Sequence, residues 1–538
     1  PELSMSCLTQ IFSLSKTFAA CMWAAVVVST PLAGAQAGTD LSPVRAEFRP
    51  SALPEGWQHG AFMEIFVRSW RDSDGDGIGD LRGLTQSLDH LLKLGIRGIW
   101  LMPITRSADG DHGYATTDYR DIEPAYGTLA DFDELIREAH ARGIGVIMDY
   151  VVNHSADTHP LFVQSQREPQ GPYRAWYEWL QEHPQGWDIW GRDPWVQTPK
   201  GSYLATFGAP MPDFNLRHPQ VVAYHQDSLR FWLNRGLDGM RLDAVPHLIE
   251  NNAKDWNDQP ESRQLTGDLT RLIQSYPGRY VVCEATAQPR AYANPEVCGG
   301  SFAFGLENKI VPAARGDVKA IQDVAQYFVT APHTLATFVS NHDQFAGQRL
   351  WNQVEGNEVQ YKLAAATYLL LPGTPFIYYG EDIGMAGAQD LTGDPEIRGP
   401  LSWTTDARNG GFTSGQPYRA LATNVATHTV QSQQRDPQSI WAFYRDMLAL
   451  RNSRVSIARG SYEFAQVQGQ TMAYQRRMGR EHSLVLINYG QQAASLLIDG
   501  LAQEATVRPL YPAGAAQRLT GRQLTVPAQS VQVFALEK

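Results

Sequence analysis

The sequence predicts an α/β protein: a (β/α)8 TIM barrel with an inserted subdomain after strand three and a C-terminal all-β sandwich domain. Three observations predict it. From Phe62 onward, short apolar runs alternate with stretches of helical period, as parallel strands joined by crossover helices do. The period is lost over residues 153–218, which are rich in Pro, Gly and Trp and too long for an ordinary connection. Beyond Val455, β-type runs such as Ser483 to Asn488 and Val531 to Leu536 take over. The predicted organisation is therefore 38–152 and 219–455 as the two parts of the barrel, 153–218 as the insert and 456–538 as the C-terminal domain.

Taken in order, Met63 to Val67 reads as strand one. Leu84, Leu88, Leu91 and Leu92 follow at helical spacing, Gly95 stops that helix, and Gly98 to Met102 reads as strand two. Thr128 with Asp131 three residues on forms a helix start, Phe132, Leu135, Ile136 and Ala139 form its buried stripe, and Val146 to Asp149 is strand three. After the insert, a helix from Pro219 to Arg235 leads into strands at Gly239–Asp243, Tyr280–Glu284, Ser301–Phe304, Thr337–Asn341 and Pro375–Tyr379. Eight strands in this alternation suggest a closed barrel, whose chemistry is built at the C-terminal strand ends.

Composition bounds the function. A 538-residue chain with 43% apolar and 19% charged residues is ordinary for a globular protein, and a net charge of −11 argues against nucleic acid as a partner. Fourteen Trp and twenty-two Tyr permit stacking on sugar rings but equally suit core packing. Lys16, the apolar run Phe18 to Leu32 and the small-x-small site Ala35-Gln36-Ala37 read as a signal peptide over 1–37, with Pro1 to Ser4 as an extension ahead of Met5. The run is short for a membrane span, so an exported, periplasmic or extracellular protein is expected, with no membrane contact after cleavage. Cys283 and Cys298 remain beyond that segment, and two cysteines leave pairing open.

The strand ends carry the chemistry. In Gly239-Met240-Arg241-Leu242-Asp243, alternate side chains share a face, so Arg241 would lie beside Asp243 and hold that carboxylate ionised, as a nucleophile requires. Asn153-His154, Glu284 and Asn341-His342-Asp343 occupy corresponding ends. In the loop Asp72 to Asp80, Asp72, Asp74, Asp76 and Asp80 with intervening glycines form an oxygen-rich wrap suited to a hard cation such as Ca²⁺.

Together these motifs resemble the α-amylase family of retaining glycoside hydrolases, from about Trp57 to the C-terminus: Asp149-Tyr-Val-Val-Asn153-His154, Gly239-Met-Arg241-Leu-Asp243, Glu284 and Phe338-Val-Ser-Asn-His342-Asp343. Met211-Pro-Asp-Phe214-Asn215 resembles a motif of subfamilies between the oligo-1,6-glucosidases and the neopullulanases, with Phe214 where Leu is usual. The resemblance implies Asp243 as nucleophile, Glu284 as general acid/base and Asp343 as the third carboxylate. It implies Tyr114 as the aromatic under the −1 sugar, and Asp111, His154, Arg241, His342, Asp394 and Arg398 as further substrate contacts, with Arg398 paired to Asp111. It adds the carbonyl of Ile78 to the Ca²⁺ loop, and a second calcium site at Asn153 and the carbonyl of His247, although Pro246 stands where such sites usually have Lys.

The implied function is cleavage of α-1,4-glucosidic bonds in starch and maltooligosaccharides by a monomeric enzyme. An exo-acting α-glucosidase, a glucanotransferase and a catalytically inactive barrel serving as a binding subunit are the alternatives. The last loses triad residues in such relatives, and this chain keeps all three.

Overall fold

The computed structural model describes residues 38–537, so the expected signal segment lies outside the described residues. Eight parallel strands form the barrel: β1 (Phe62–Ile65), β2 (Gly98–Leu101), β3 (Gly145–Tyr150), β4 (Gly239–Leu242), β5 (Tyr280–Cys283), β6 (Ser301–Phe302), β7 (Leu335–Ala336) and β8 (Phe376–Tyr378). They pair in the order β7-β6-β5-β4-β3-β2-β1-β8, and a parallel bridge between Thr337 and Pro375 joins the two ends. Both faces of nearly every strand are buried, which explains the unbroken apolar runs. Strand seven departs from expectation. Its ladder is Leu335–Ala336 rather than Thr337–Asn341, because after Thr337 bonds across to Thr374 and Phe376 the chain leaves the sheet. Strand six is likewise shorter than predicted, ending at Phe302.

Inside the barrel, Phe62, Trp100, Ile147, Val282, Phe302 and Phe376 pack as one layer, with the Phe62 and Phe376 rings stacked at 4.8 Å. This layer plugs the barrel and forms the floor beneath the strand ends.

The helices begin and end where their caps require. In α1 (Leu81–Leu94) the Asp80 side chain accepts from Gly83 N, and Gly95 closes the helix in the left-handed region. Leu84, Leu88 and Leu91 are buried, but Leu92 is 43% exposed, so the apolar stripe is narrower than the spacing suggested. In α2 (Leu129–Ala141) Thr128 and Asp131 form a reciprocal capping box, and the expected Phe132, Leu135, Ile136 and Ala139 are its buried residues. The insert carries a helix, Pro160–Arg167, and a three-stranded antiparallel sheet of Trp179–Leu180, Trp195–Thr198 and Gly201–Leu204. Among the described residues no helix is long and apolar enough to cross a membrane.

Helical structure extends to Val455–Arg459, slightly past the predicted boundary. The C-terminal region then builds a six-stranded antiparallel sheet and a two-stranded one, with Ala473, Leu484, Leu486 and Phe534 packed in one cluster with Leu496, Leu524 and Val526. Cys283 at the end of β5 forms a disulfide with Cys298, which resolves the pairing that the sequence left open.

Candidate active site

Arg241, on β4, is the hub. Strand pairing places it level with Asp149 on β3 and Val282 on β5, and its guanidinium lies 5.1 Å from the Trp100 ring of the floor. Nη1 donates to Asp149 Oδ1 at 2.8 Å and to Asp243 Oδ1 at 2.5 Å, while Nη2 lies 2.9 Å from Glu284 Oε2. One fully buried cation thus holds three carboxylates.

The electrostatics correct a sequence expectation. Arg241 was expected to keep Asp243 ionised, yet burial pushes the Asp243 carboxyl well up, against the pull of Arg241, and Glu284 and Asp149 push it further. Asp149 is also raised, by burial, despite the same guanidinium. The reason is burial first: what Asp149 and Asp243 gain from the shared guanidinium is outweighed by their loss of water and, for Asp243, by the neighbouring carboxylates as well.

The backbone after Asp243 is strained to serve the same cluster. Ala244 has φ 47°, a left-handed conformation unusual for a residue with a Cβ, and its N–H donates to Glu284 Oε2 at 3.0 Å. Such strain persists where the surroundings over-determine it.

A second cluster adjoins the first. Tyr114 OH donates to Asp149 Oδ2 at 2.9 Å and lies 2.7 Å from His342 Nε2, with the two rings stacked at 5.4 Å. His342 Nδ1 donates to Glu64 Oε1 at 2.6 Å, and its Nε2 is 3.2 Å from Asp343 Oδ2. Burial opposes a charged His342, but Asp343 and Glu64 outweigh it and push its pKa up to about 10. Asp343 goes the other way: burial would raise it, and His342 with Arg398 and Arg241 holds it far below the usual carboxylate range. Arg398 donates to Asp343 Oδ1 at 3.0 Å and to the His342 carbonyl at 2.8 Å, and lies 3.1 Å from Asp394 and 3.5 Å from Asp111. Arg419 completes the wall, donating to Asp111 Oδ1 at 2.7 Å.

His154 sits in the same cleft. Burial, with a smaller push from His112, lowers its pKa to about 3, so the ring is neutral. Its Nδ1 donates to Asn153 Oδ1 at 3.0 Å, which leaves Nε2 an acceptor for a ligand hydroxyl. The cleft encloses ≈ 660 Å³, and Tyr114, His154, Asp243, Glu284, Asp343, Asp394 and Arg398 all line it. Asp111, Arg241 and His342 do not line it.

Sequence reasoning missed Glu64, Asp149 and Arg419 as contributors. The first left a signal: a carboxylate amid the apolar run Phe62-Met63-Glu64-Ile65 has to be bonded to something. Arg419 lies in irregular chain with no motif around it.

In the acidic loop, oxygens of Asp72, Asp74 and Asp80 lie within 4.8 Å of one another. Two ligand oxygens at about 2.4 Å on opposite sides of a Ca²⁺ ion are about 4.8 Å apart, so these three fit a divalent cation. Burial raises Asp72, but the Thr413 hydroxyl and the N–H groups of Gly75, Gly77 and Asp74 outweigh it and keep it charged. Asp76 is not in the cluster; it is exposed and accepts from Ile78 N at 2.8 Å. The suggested second calcium pair does not fit. Asn153 Nδ2 donates directly to the His247 carbonyl at 2.5 Å, so the amide nitrogen, not a ligand oxygen, faces it.

The match to known proteins agrees with this geometry. Residues 64–460 match the model of the α-amylase catalytic domain. The chain is 34% identical to α-amylase 3 of Dictyoglomus thermophilum over 81% of its own length and 85% of that protein's. It is 30% identical to a probable α-glucosidase of Rhizobium meliloti (82% and 90%) and 33% identical to the trehalose synthase/amylase TreS of Mycolicibacterium smegmatis (79% and 81%). Among solved structures, isomaltulose synthase of Erwinia rhapontici NX5 in complex with sucrose superposes with a TM-score of 0.78 at 26% identity, covering 90% of this chain and all of that one. With the family model matched over most of the chain and the barrel in place, the protein belongs to the α-amylase family of glycoside hydrolases.

Proposed function

We propose that the protein is an exported retaining hydrolase that cleaves α-1,4-glucosidic bonds in starch and maltooligosaccharides by double displacement, with some transglycosylation. The observation that carries this reading is the guanidinium of Arg241 bridging Asp243 and Glu284. Both carboxylates reach the same guanidinium, Asp243 at 2.5 Å and Glu284 at 2.9 Å, which supports the close pairing of nucleophile and acid/base that a retaining enzyme uses. Glu284 gives a proton to the glycosidic oxygen as Asp243 attacks the anomeric carbon. Glu284 then takes a proton from the water, or the sugar hydroxyl, that releases the glycosyl group. Tyr114 underlies the sugar ring, and Asp343, His342, His154 and Arg398 hold its hydroxyls.

Asp72, Asp74 and Asp80, with the Ile78 carbonyl, would hold a Ca²⁺ ion whose charge ties the loop together. Export is supported by the apolar run before Ala35-Gln36-Ala37 and by the Cys283–Cys298 disulfide, a bond that persists in oxidising compartments.

The α-1,4 linkage rests on Ala244. A branched residue beside Asp243 would crowd the sugar beyond the cleavage point and would be poorly tolerated at φ 47°. A second reading, exo attack, draws on the ion pairs of Asp111 with Arg398 and Arg419, which would suit a blind pocket. Substrate competition tests both. Maltotriose is expected to be cleaved faster than isomaltose, and the reverse order overturns the linkage. Cleavage of a maltoheptaose blocked at its non-reducing end supports endo action; resistance assigns the enzyme to exo attack.

A further inference from the structure

The opposite end of the barrel holds a second cavity, of ≈ 300 Å³, whose charge is out of keeping with the rest of the chain. His59, Arg97 and Gly143 in its wall stand just before β1, β2 and β3, so it opens at the N-terminal ends of the strands, away from the catalytic cleft. Three arginines, Arg97, Arg451 and Arg459, line it against one carboxylate, Glu55, in a chain whose net charge is −11. The His59 ring adds no charge, since burial first, and then Arg459 and Arg451, bring its pKa down to about 4.

The arginines are placed by their surroundings. The stem of Arg97 lies over Gly60, where a Cβ would come within 2.4 Å of its Cγ, and Arg459 lies over Gly56, where a Cβ would be 3.2 Å from its Nη1. Gly56 also has φ 82°, a conformation that a side chain would strain. Arg451 closes the back of the cavity. It is buried, and it ties two walls together by donating from Nε to the His59 carbonyl at 3.1 Å and from Nη2 to that of Ala458 at 3.3 Å. Among the described residues the guanidinium groups of Arg97 and Arg459 have neither an ion-pair partner nor a hydrogen bond, and Glu55 pairs with neither. Like charges gathered around one cavity repel one another, and an anion seated among them removes that cost. Guanidinium forks match the oxygens of a phosphate group in number and geometry. The volume lies at the lower end of the range of about 300 to 1,000 Å³ for small-molecule sites, which suits a compact oxyanion and not a glucan chain.

We propose that this cavity is a binding site for a phosphate group, free or as a sugar monoester, held by Arg97 and Arg459 with Arg451 behind them. The anion bridges the chain before β2, which carries Arg97, and the end of the helix Val455–Arg459, so it fastens that helix to the bottom of the barrel. Its effect is on the stability of the fold, and the chemistry at the other end of the barrel proceeds without it.

Calorimetric titration of the full chain with inorganic phosphate at fixed ionic strength should show one saturable site, and at 100 times its Kd the Tm should rise by about 3 °C. In the double variant Arg97→Gln, Arg459→Gln the affinity should fall about tenfold or more and the rise in Tm should vanish at the same phosphate concentration. Phosphate should leave kcat/KM for maltotriose unchanged in both proteins. Glu55→Gln removes the one opposing charge and should bind phosphate more tightly than the wild type, a gain that no folding defect can imitate. Titration with glucose 1-phosphate separates the two sources of the group: tighter binding than inorganic phosphate makes the ligand a sugar monoester, and weaker binding makes it the free ion. Three results would overturn the proposal: no saturable binding, an affinity unmoved by Glu55→Gln, or an equal rise in Tm for the wild type and the double variant, as a general salt effect would give.

Discussion

His342 shows how one side chain is tuned by its neighbours. Alone in a buried site it would be neutral, as His154 is; between Glu64 and Asp343 it is charged, with its pKa pushed up to about 10. A histidine raised on folding stabilises the native state fully below its unfolded pKa of about 6.5, and that contribution fades as pH rises through the folded value. The stability gap between the wild type and His342→Gln should therefore be widest at pH 5 to 6 and shrink steadily toward pH 10, measured by denaturant unfolding across that range. A gap independent of pH would mean that the imidazole is neutral and merely fills space. At this scale much was legible. Asp243, Glu284, Asp343, His154 and His342 could be found because each follows a strand with recognisable flanking residues. What could not be read was charge sharing, because whether Arg241 serves one carboxylate or three depends on which strands are neighbours.

At the scale of elements, the loop between Asp72 and Asp80 turns on itself almost entirely through its own carboxylates. Asp72 takes N–H donors from Asp74, Gly75 and Gly77, and Asp80 takes two donors from Ser73 before capping α1. Three acidic groups within 4.8 Å repel one another unless a cation sits among them. Calcium at 100 times its Kd would add about 2.7 kcal/mol. Chelator should lower the Tm of the wild type and leave Asp74→Ala, already lowered, unchanged. If neither treatment moves the Tm, the loop is an acidic turn held by backbone hydrogen bonds alone. The pattern of alternating Asp and Gly made this loop visible in the sequence, but not that Asp76 would face solvent, since alternation does not say which way a tight turn points its residues. Strand seven was misplaced for a related reason. Thr337 to Asn341 is apolar and β-branched enough to pair, yet Phe338 packs against Phe302 and Phe304 while the chain bends to present Asn341 to Asp343.

Across the whole molecule, the barrel and the C-terminal sheets are joined through charge as well as apolar packing. The helix Glu358–Leu370 ends under two buried arginines. Arg451 donates to the carbonyls of Leu369, Leu371 and Gly373, and Arg476 to those of Leu370, Ser461 and Gly460. Among the described residues neither has a carboxylate partner; they satisfy carbonyls at the helix end and in the chain beside it. Burial lowers both, Arg451 to about 9 and Arg476 to about 10, so both stay charged at neutral pH. That junction was invisible in the sequence, because an arginine in a strand or helix reads as a solvated residue until the neighbouring domain covers it. The barrel itself was legible, since its strands are buried on both faces and announce themselves as apolar runs. It fixes eight strand ends around one cleft, and the account of function depends on two of them, Asp243 and Glu284, meeting on Arg241. The most direct measurement is the anomeric form of the first product, followed by NMR from the start of maltotriose hydrolysis. Double displacement predicts that the newly formed reducing end appears first as the α-anomer and equilibrates later. The β-anomer appearing first would mean that water attacks directly, and would contradict the role given to Asp243.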